Sequence, residues 1–164
     1  MTVSSSGYFF LVISSNLFII SSKCLTELSL RMAKERLENR VVFTNPSDIA
    51  EYYMETCRHL EVEKVFLLCL DNQLRLIKEY ELSKGTINTS LISPREVFIE
   101  ALNAKAVYIL LIHNHPSGNP SPSKADIQIT LKVVEAGKII DIKLLDHIII
   151  GDHSYVSLKE QKIF

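Results

Sequence analysis

"AVYILLIHNHPSGNPSPSKAD", residues 106–126, joins an apolar run of strand length to two histidines, a loop of Pro, Ser, Gly and Asn, and an aspartate. An apolar run without polar alternation predicts a central strand covered on both faces. His113 and His115 stand at its far end. The next segment, "SKADIQITLKVVEAG", repeats apolar residues at Ile127, Leu131 and Val134 and so predicts a helix from Ser123 to about Gly137, with Gly137 placed to end it.

Working outward, "IKLLDHIIIG" reads as a strand, "DHS" as a turn and "YVSLKE" as a short strand running into the terminus. Upstream, "PREVFIEALNA" opens with Pro94 and predicts a helix with Val97, Phe98 and Leu102 on nearly one face. Before it, "EKVFLLCLD" and "LRLIKEYELS" form a predicted hairpin about the turn-forming Asp71 and Asn72, and "KGTINTSLIS" is a connection. "NPSDIAEYYMETCRHL" places Asn45 to cap and Pro46 at the first position of a helix running to about residue 59. Strands alternating with helices predict an α/β domain around a mixed sheet.

The chain of 164 residues has a net charge of -1, with 47% hydrophobic and 23% charged residues, the balance of one globular domain. No Lys/Arg block is long enough to mark a nucleic-acid patch. Cys24, Cys57 and Cys69 are odd in number and lack a CxxC, which excludes a disulfide framework and a zinc ribbon and makes a reducing cytoplasm the expected compartment. Residues 1–44 are expected to be an atypical N-terminal extension, apolar over 8–20 and then helix-prone. The apolar part is too short to span a bilayer and is broken by Ser14, Ser15 and Asn16, so a buried or disordered segment is favoured over membrane contact. The folded domain is expected over residues 45–164.

Residues i and i+2 of an extended segment point to one side, so His113 and His115 can aim both imidazoles at one metal ion. Zinc accepts nitrogen from His and oxygen from Asp, and Asp126 is the natural third ligand if the loop folds the helix start back over the strand end. A bland reading competes: the histidines end a strand, and Ser123-x-x-Asp126 is a capping box. The two are compatible, because Ser123 can cap while Asp126 faces the metal. Asn114 points away from the paired imidazoles in a regular strand and reads as a loop-orienting residue.

H-x-H, seven residues, then S-x-x-D resembles the pattern of the JAMM (MPN+) metalloprotease family, and His113, His115, Ser123 and Asp126 match it position by position. "HNHPSGNPSPSKAD", preceded by "SPREVFIEALNAKAV" and followed by "LLDHIIIGDHSYVSLKE", is similar to the RadC branch of that family. The resemblance covers residues 45–164 and implies a three-layer-like JAMM/MPN domain with a mixed, curved central sheet flanked by helices. It implies Zn2+ held by His113, His115 and Asp126, and a glutamate base at the start of the first strand. Glu63 is nominated first, with Glu61 and Glu96 as alternatives, and Ser123 would steady the oxyanion. The implied activity is zinc-dependent hydrolysis of a peptide or isopeptide bond in a peptide or protein substrate. Two other functions compete: a non-catalytic protein-interaction module, and a DNA-repair-associated accessory protein, which the neutral charge weakens. The helix-hairpin-helix-like segment that family members carry ahead of this domain is not recognisable in residues 1–44. Arg95 and Asp146 are candidate partners for the outer nitrogens of the histidines.

Overall fold

The computed structural model describes residues 45–57, 59–84 and 92–164, together with 24, 27 and 28. The expectations for residues 1–23, for most of 25–44 and for the connection 85–91 fall outside the described residues. The chain divides into two compact units, residues 1–40 and 41–164, and the second is the subject below. Among the described residues no helix is long and apolar enough to cross a membrane.

Asn45 accepts a hydrogen bond from the Ser47 amide and Pro46 opens α1 (Pro46–Cys57), the start that the sequence predicts. Ile49, Ala50, Tyr53 and Cys57 form its buried stripe, and the Tyr53 hydroxyl donates to Glu79 at 2.6 Å. The predicted hairpin is β1 (Lys64–Leu70) paired antiparallel with β2 (Leu76–Lys84). Asp71 closes its turn by accepting from the amides of Gln73 and Arg75. α2 (Pro94–Asn103) begins with a capping box between Ser93 and Glu96.

β3 (Tyr108–Asn114) pairs antiparallel with β1 and parallel with β4 (Lys143–Ile150), and β5 (Tyr155–Ser157) closes the far edge in the order β2-β1-β3-β4-β5. The sheet is therefore mixed, and β3 lies at its centre with six successive buried residues, as its apolar run predicts. α3 (Lys124–Ile140) makes the crossover that a parallel β3–β4 pair requires. Alternation sorts the strand residues between two faces. Val65, Leu67, Cys69, Ile109 and Leu111 pack with Val97, Phe98 and Ala101 of α2 and Val133 of α3. The opposite face carries Phe66, whose ring lies 5.8 Å from that of Tyr53 in α1. Helices thus cover both faces of the five-stranded sheet, the layered α/β architecture expected.

α2 buries Val97 and Phe98 as hydropathy selects but not Leu102, and α3 presents a different face. In α2 the third buried residue is Ala101, while Leu102 is 56% exposed; the small alanine lets the helix sit close and turns Leu102 outward. In α3 the buried stripe is Asp126, Thr130, Val133 and Gly137, and Leu131 is 40% exposed. That stripe lies about 100°, one residue step, from the predicted one. Gly137 does not end α3, which continues to Ile140 and is closed by Asp141 at φ 62°. It lies within the helix because a Cβ there would sit 2.4 Å from the Ile142 carbonyl oxygen.

Candidate metal centre

The site begins where β3 ends. His113 is 2% exposed on the face that carries α3. His115 lies just past the strand, and its amide donates to the Ile150 carbonyl at 2.8 Å, continuing the β3–β4 pairing by one residue. Its Nδ1 donates to the Asn119 carbonyl at 2.8 Å, which fixes a proton on Nδ1 and turns Nε2 toward Asp126. The loop that supplies this carbonyl is stitched to the β4–β5 turn, with the Asp152 amide donating to Gly118 at 2.7 Å. Gly151 permits the approach, since a Cβ there would lie 2.3 Å from the Gly118 oxygen.

Asp126, 6% exposed, stands at the third position of α3. Its Oδ1 lies 3.4 Å from His113 Nδ1 and its Oδ2 3.5 Å from His115 Nε2, while Oδ2 also accepts the Ser123 amide at 2.7 Å. The Ser123 hydroxyl accepts the Asp126 amide, completing the capping box. Capping and approach to the histidines therefore coexist in one carboxyl group. Burial opposes charge on Asp126, yet His113, His115 and Ser123 together hold it well below the usual carboxylate range. Hydrogen bonding to Asp126 raises the His115 pKa against the opposing effect of burial.

Glu63, His113 and His115 bring donor atoms within 4.8 Å of one another and could hold a metal ion. The structure thus gathers Glu63 with two of the three predicted ligands, His113 and His115, while Asp126 approaches the two imidazoles but stands outside that group. One carboxyl oxygen and two imidazole nitrogens, with Asp126 beside them, are the mixed nitrogen and oxygen donors that suit zinc. The buried His113 Nε2 has no hydrogen-bond partner among the described residues. An orphaned buried nitrogen is unfavourable by about 1–3 kcal/mol, which favours a further group at this histidine.

A model of the RadC-like JAB domain matches residues 43–163. This chain belongs to the RadC-like JAB domain family. Over 135 residues, a UPF0758 protein of Bacillus cereus and one of Bacillus mycoides (strain KBAB4) are each 47% identical to it. One from Bacillus anthracis (strain CDC 684 / NRRL 3495) is 46% identical over the same length. Each match covers 82% of this chain and 60% of the relative, so the chain spans about three-fifths of the length of these curated relatives.

In this RadC-like JAB domain the other glutamates nominated from the sequence stand differently. Glu61 is exposed, and Glu96 accepts from the amide and hydroxyl of Ser93 at 3.0 Å each. Asp146 is not a partner of the site histidines: its carboxyl accepts from the His147 and Lys159 amides and the Ser157 hydroxyl. Arg95 is exposed on α2 and donates to neither histidine.

One supporting residue, Thr130, escapes a sequence reading, and it holds the strand histidine His147. The Thr130 hydroxyl donates to the Asp126 carbonyl at 2.5 Å and lies 2.6 Å from His147 Nδ1. A hydroxyl has one proton, so His147 Nδ1 must be the second donor. The spacing of Thr130 four residues after Asp126 is the only local signal, and it is a weak one. Burial, reinforced by the charge of His113, pushes the His147 pKa down to about 3. In the unfolded chain the same imidazole titrates near 6.5, so between these values only the unfolded chain takes the proton. Stability present above pH 6.5 is therefore lost as pH falls toward 3, by about 2 kcal/mol at pH 5. Urea midpoints of the metal-free protein at pH 7 and 5 should decline more than those of His147→Asn, whose amide can still face Thr130. Equal declines would show that the folded protein accepts the proton.

Proposed function

We propose that this chain is a zinc-dependent metallopeptidase-type hydrolase that cleaves a peptide or isopeptide bond in a peptide or protein substrate. The observation that carries the reading is the convergence of Glu63, His113 and His115 within 4.8 Å, with Asp126 at 3.4 and 3.5 Å from the two imidazoles. His113, His115 and Asp126 would hold the ion. Bound there, zinc would polarise the scissile carbonyl and lower the pKa of a water molecule toward neutrality.

Glu63 then takes a proton from the attacking water and delivers it to the amine nitrogen as the C–N bond breaks, so that amide and water become acid and amine. The Ser123 hydroxyl accepts from the Asp126 amide, and its own proton remains to be donated to the substrate's carbonyl oxygen as negative charge develops there. A cavity of about 310 Å³ lies against His115 and is lined by Leu60, Pro116, Ile150 and Asp152, among others. Of the site residues it is lined by His115.

Metal content by elemental analysis tests this first. The parent should carry about one zinc per chain and the His113→Ala/His115→Ala variant none, because catalytic zinc needs three protein ligands. A parent that stays metal-free after incubation with zinc would return residues 113–126 to a strand end and a capped helix, and the chain to an interaction module.

A further inference from the structure

Glu63 lies one residue outside the sheet. β1 begins at Lys64, and its pairing with β3 runs from Leu70↔Tyr108 to Val65↔His113. Continued by one step, that register would set Lys64 opposite Asn114, but main-chain pairing stops before it. The Asn114 side chain takes its place: Oδ1 accepts the Lys64 amide at 2.7 Å, and Nδ2 donates to the Val62 carbonyl at 3.1 Å. A primary amide offers the same acceptor and donor as a peptide group, so Asn114 acts as one further rung of a neighbouring strand. Its two bonds fall on either side of Glu63.

Among the described residues no hydrogen bond holds the Glu63 carboxyl, which meets the histidine pair through charge alone, so its place depends on the backbone that carries it. Asn114 is 2% exposed, which shields both bonds from water. It is also the middle residue of His113-Asn114-His115. The outer two side chains gather at the cluster while the middle one pins the segment that brings the carboxyl to it. We propose that Asn114 is a positioning residue that sets Glu63 against the histidine pair; the proposal rests on the reading of Glu63 as the proton carrier.

Two measurements test it without a substrate. In the metal-free protein, Asn114→Ala should speed hydrogen exchange at the Lys64 amide by about 10-fold or more while the Leu67–Cys69 amides stay protected, as expected of local opening. In the cobalt-loaded protein, the pH midpoint of the visible spectrum should shift in the same sense as in Glu63→Gln, by at least half as much. Should the alanine variant not fold, Asn114→Ser retains one of the two bonds and should give an intermediate shift. An unshifted Asn114 midpoint beside a shifted Glu63→Gln midpoint would overturn the positioning role alone. If Glu63→Gln itself left the midpoint unmoved, the proton-carrier reading and this proposal would fall together.

Discussion

Glu63→Gln should lower kcat by a factor on the order of 10²–10⁴ on a peptide or isopeptide substrate of this chain, while KM changes little. The amide matches the carboxyl in shape but cannot take a proton at neutral pH, so proton transfer is lost while binding is not. Metal content separates two roles for this residue, because Glu63 shares the 4.8 Å donor cluster with His113 and His115. Zinc retained with activity lost identifies a proton carrier; zinc lost together with activity identifies a ligand. His115→Ala should lose both. Full activity in Glu63→Gln would transfer the role to Glu61 or Glu96, although Glu96 is already engaged at the start of α2.

The second large effect concerns the support of β4. Asp146 is 3% exposed; its Oδ1 accepts from the amides of His147 and Lys159 at 2.7 and 3.1 Å, and its Oδ2 accepts from the Ser157 hydroxyl at 2.6 Å. It ties β4 to β5 and to the C-terminal segment with one side chain. Asp146→Ala leaves three donors without this acceptor in a nearly dry environment, and should reduce the free energy of unfolding by about 3–5 kcal/mol. Ser157→Ala removes one bond and should reduce it by about 1–2 kcal/mol. Urea unfolding at pH 7 measures both. An Asp146→Ala value within about 1 kcal/mol of the parent would mean that water replaces the carboxyl at all three donors.

Some elements can be read directly from residue order because their signals are local. An unbroken apolar run can satisfy its surroundings only between two covering layers, so β3 is predicted as central and is found there. Asn45-Pro46 and Pro94 mark helix starts because capping is settled within four residues. Of the site, the pairing of His113 with His115 and the arrival of Asp126 at a helix start are equally local, and the family pattern supplies Glu63.

The faces of the helices are not local. Hydropathy selects Ile127, Leu131 and Val134 on α3, but the buried stripe includes Asp126, Thr130 and Gly137, whose burial depends on partners outside the helix. Asp126 meets His113 and His115, Thr130 meets His147, and Gly137 meets Ile142. Asn114 is the same case: its peptide-like grip on Val62 and Lys64 exists only because β1 and β3 pair in one register. Residue order suffices for where strands and helices begin and for the pairing of His113 with His115, because spacing along a strand and capping at a helix end need only near neighbours. Which face of a helix turns inward, and which residue holds Glu63 in place, depends on polar and steric contacts with other segments, 17 residues away for Thr130 and His147 and 50 and 52 for Asn114 with Lys64 and Val62, which hydrophobic periodicity cannot register.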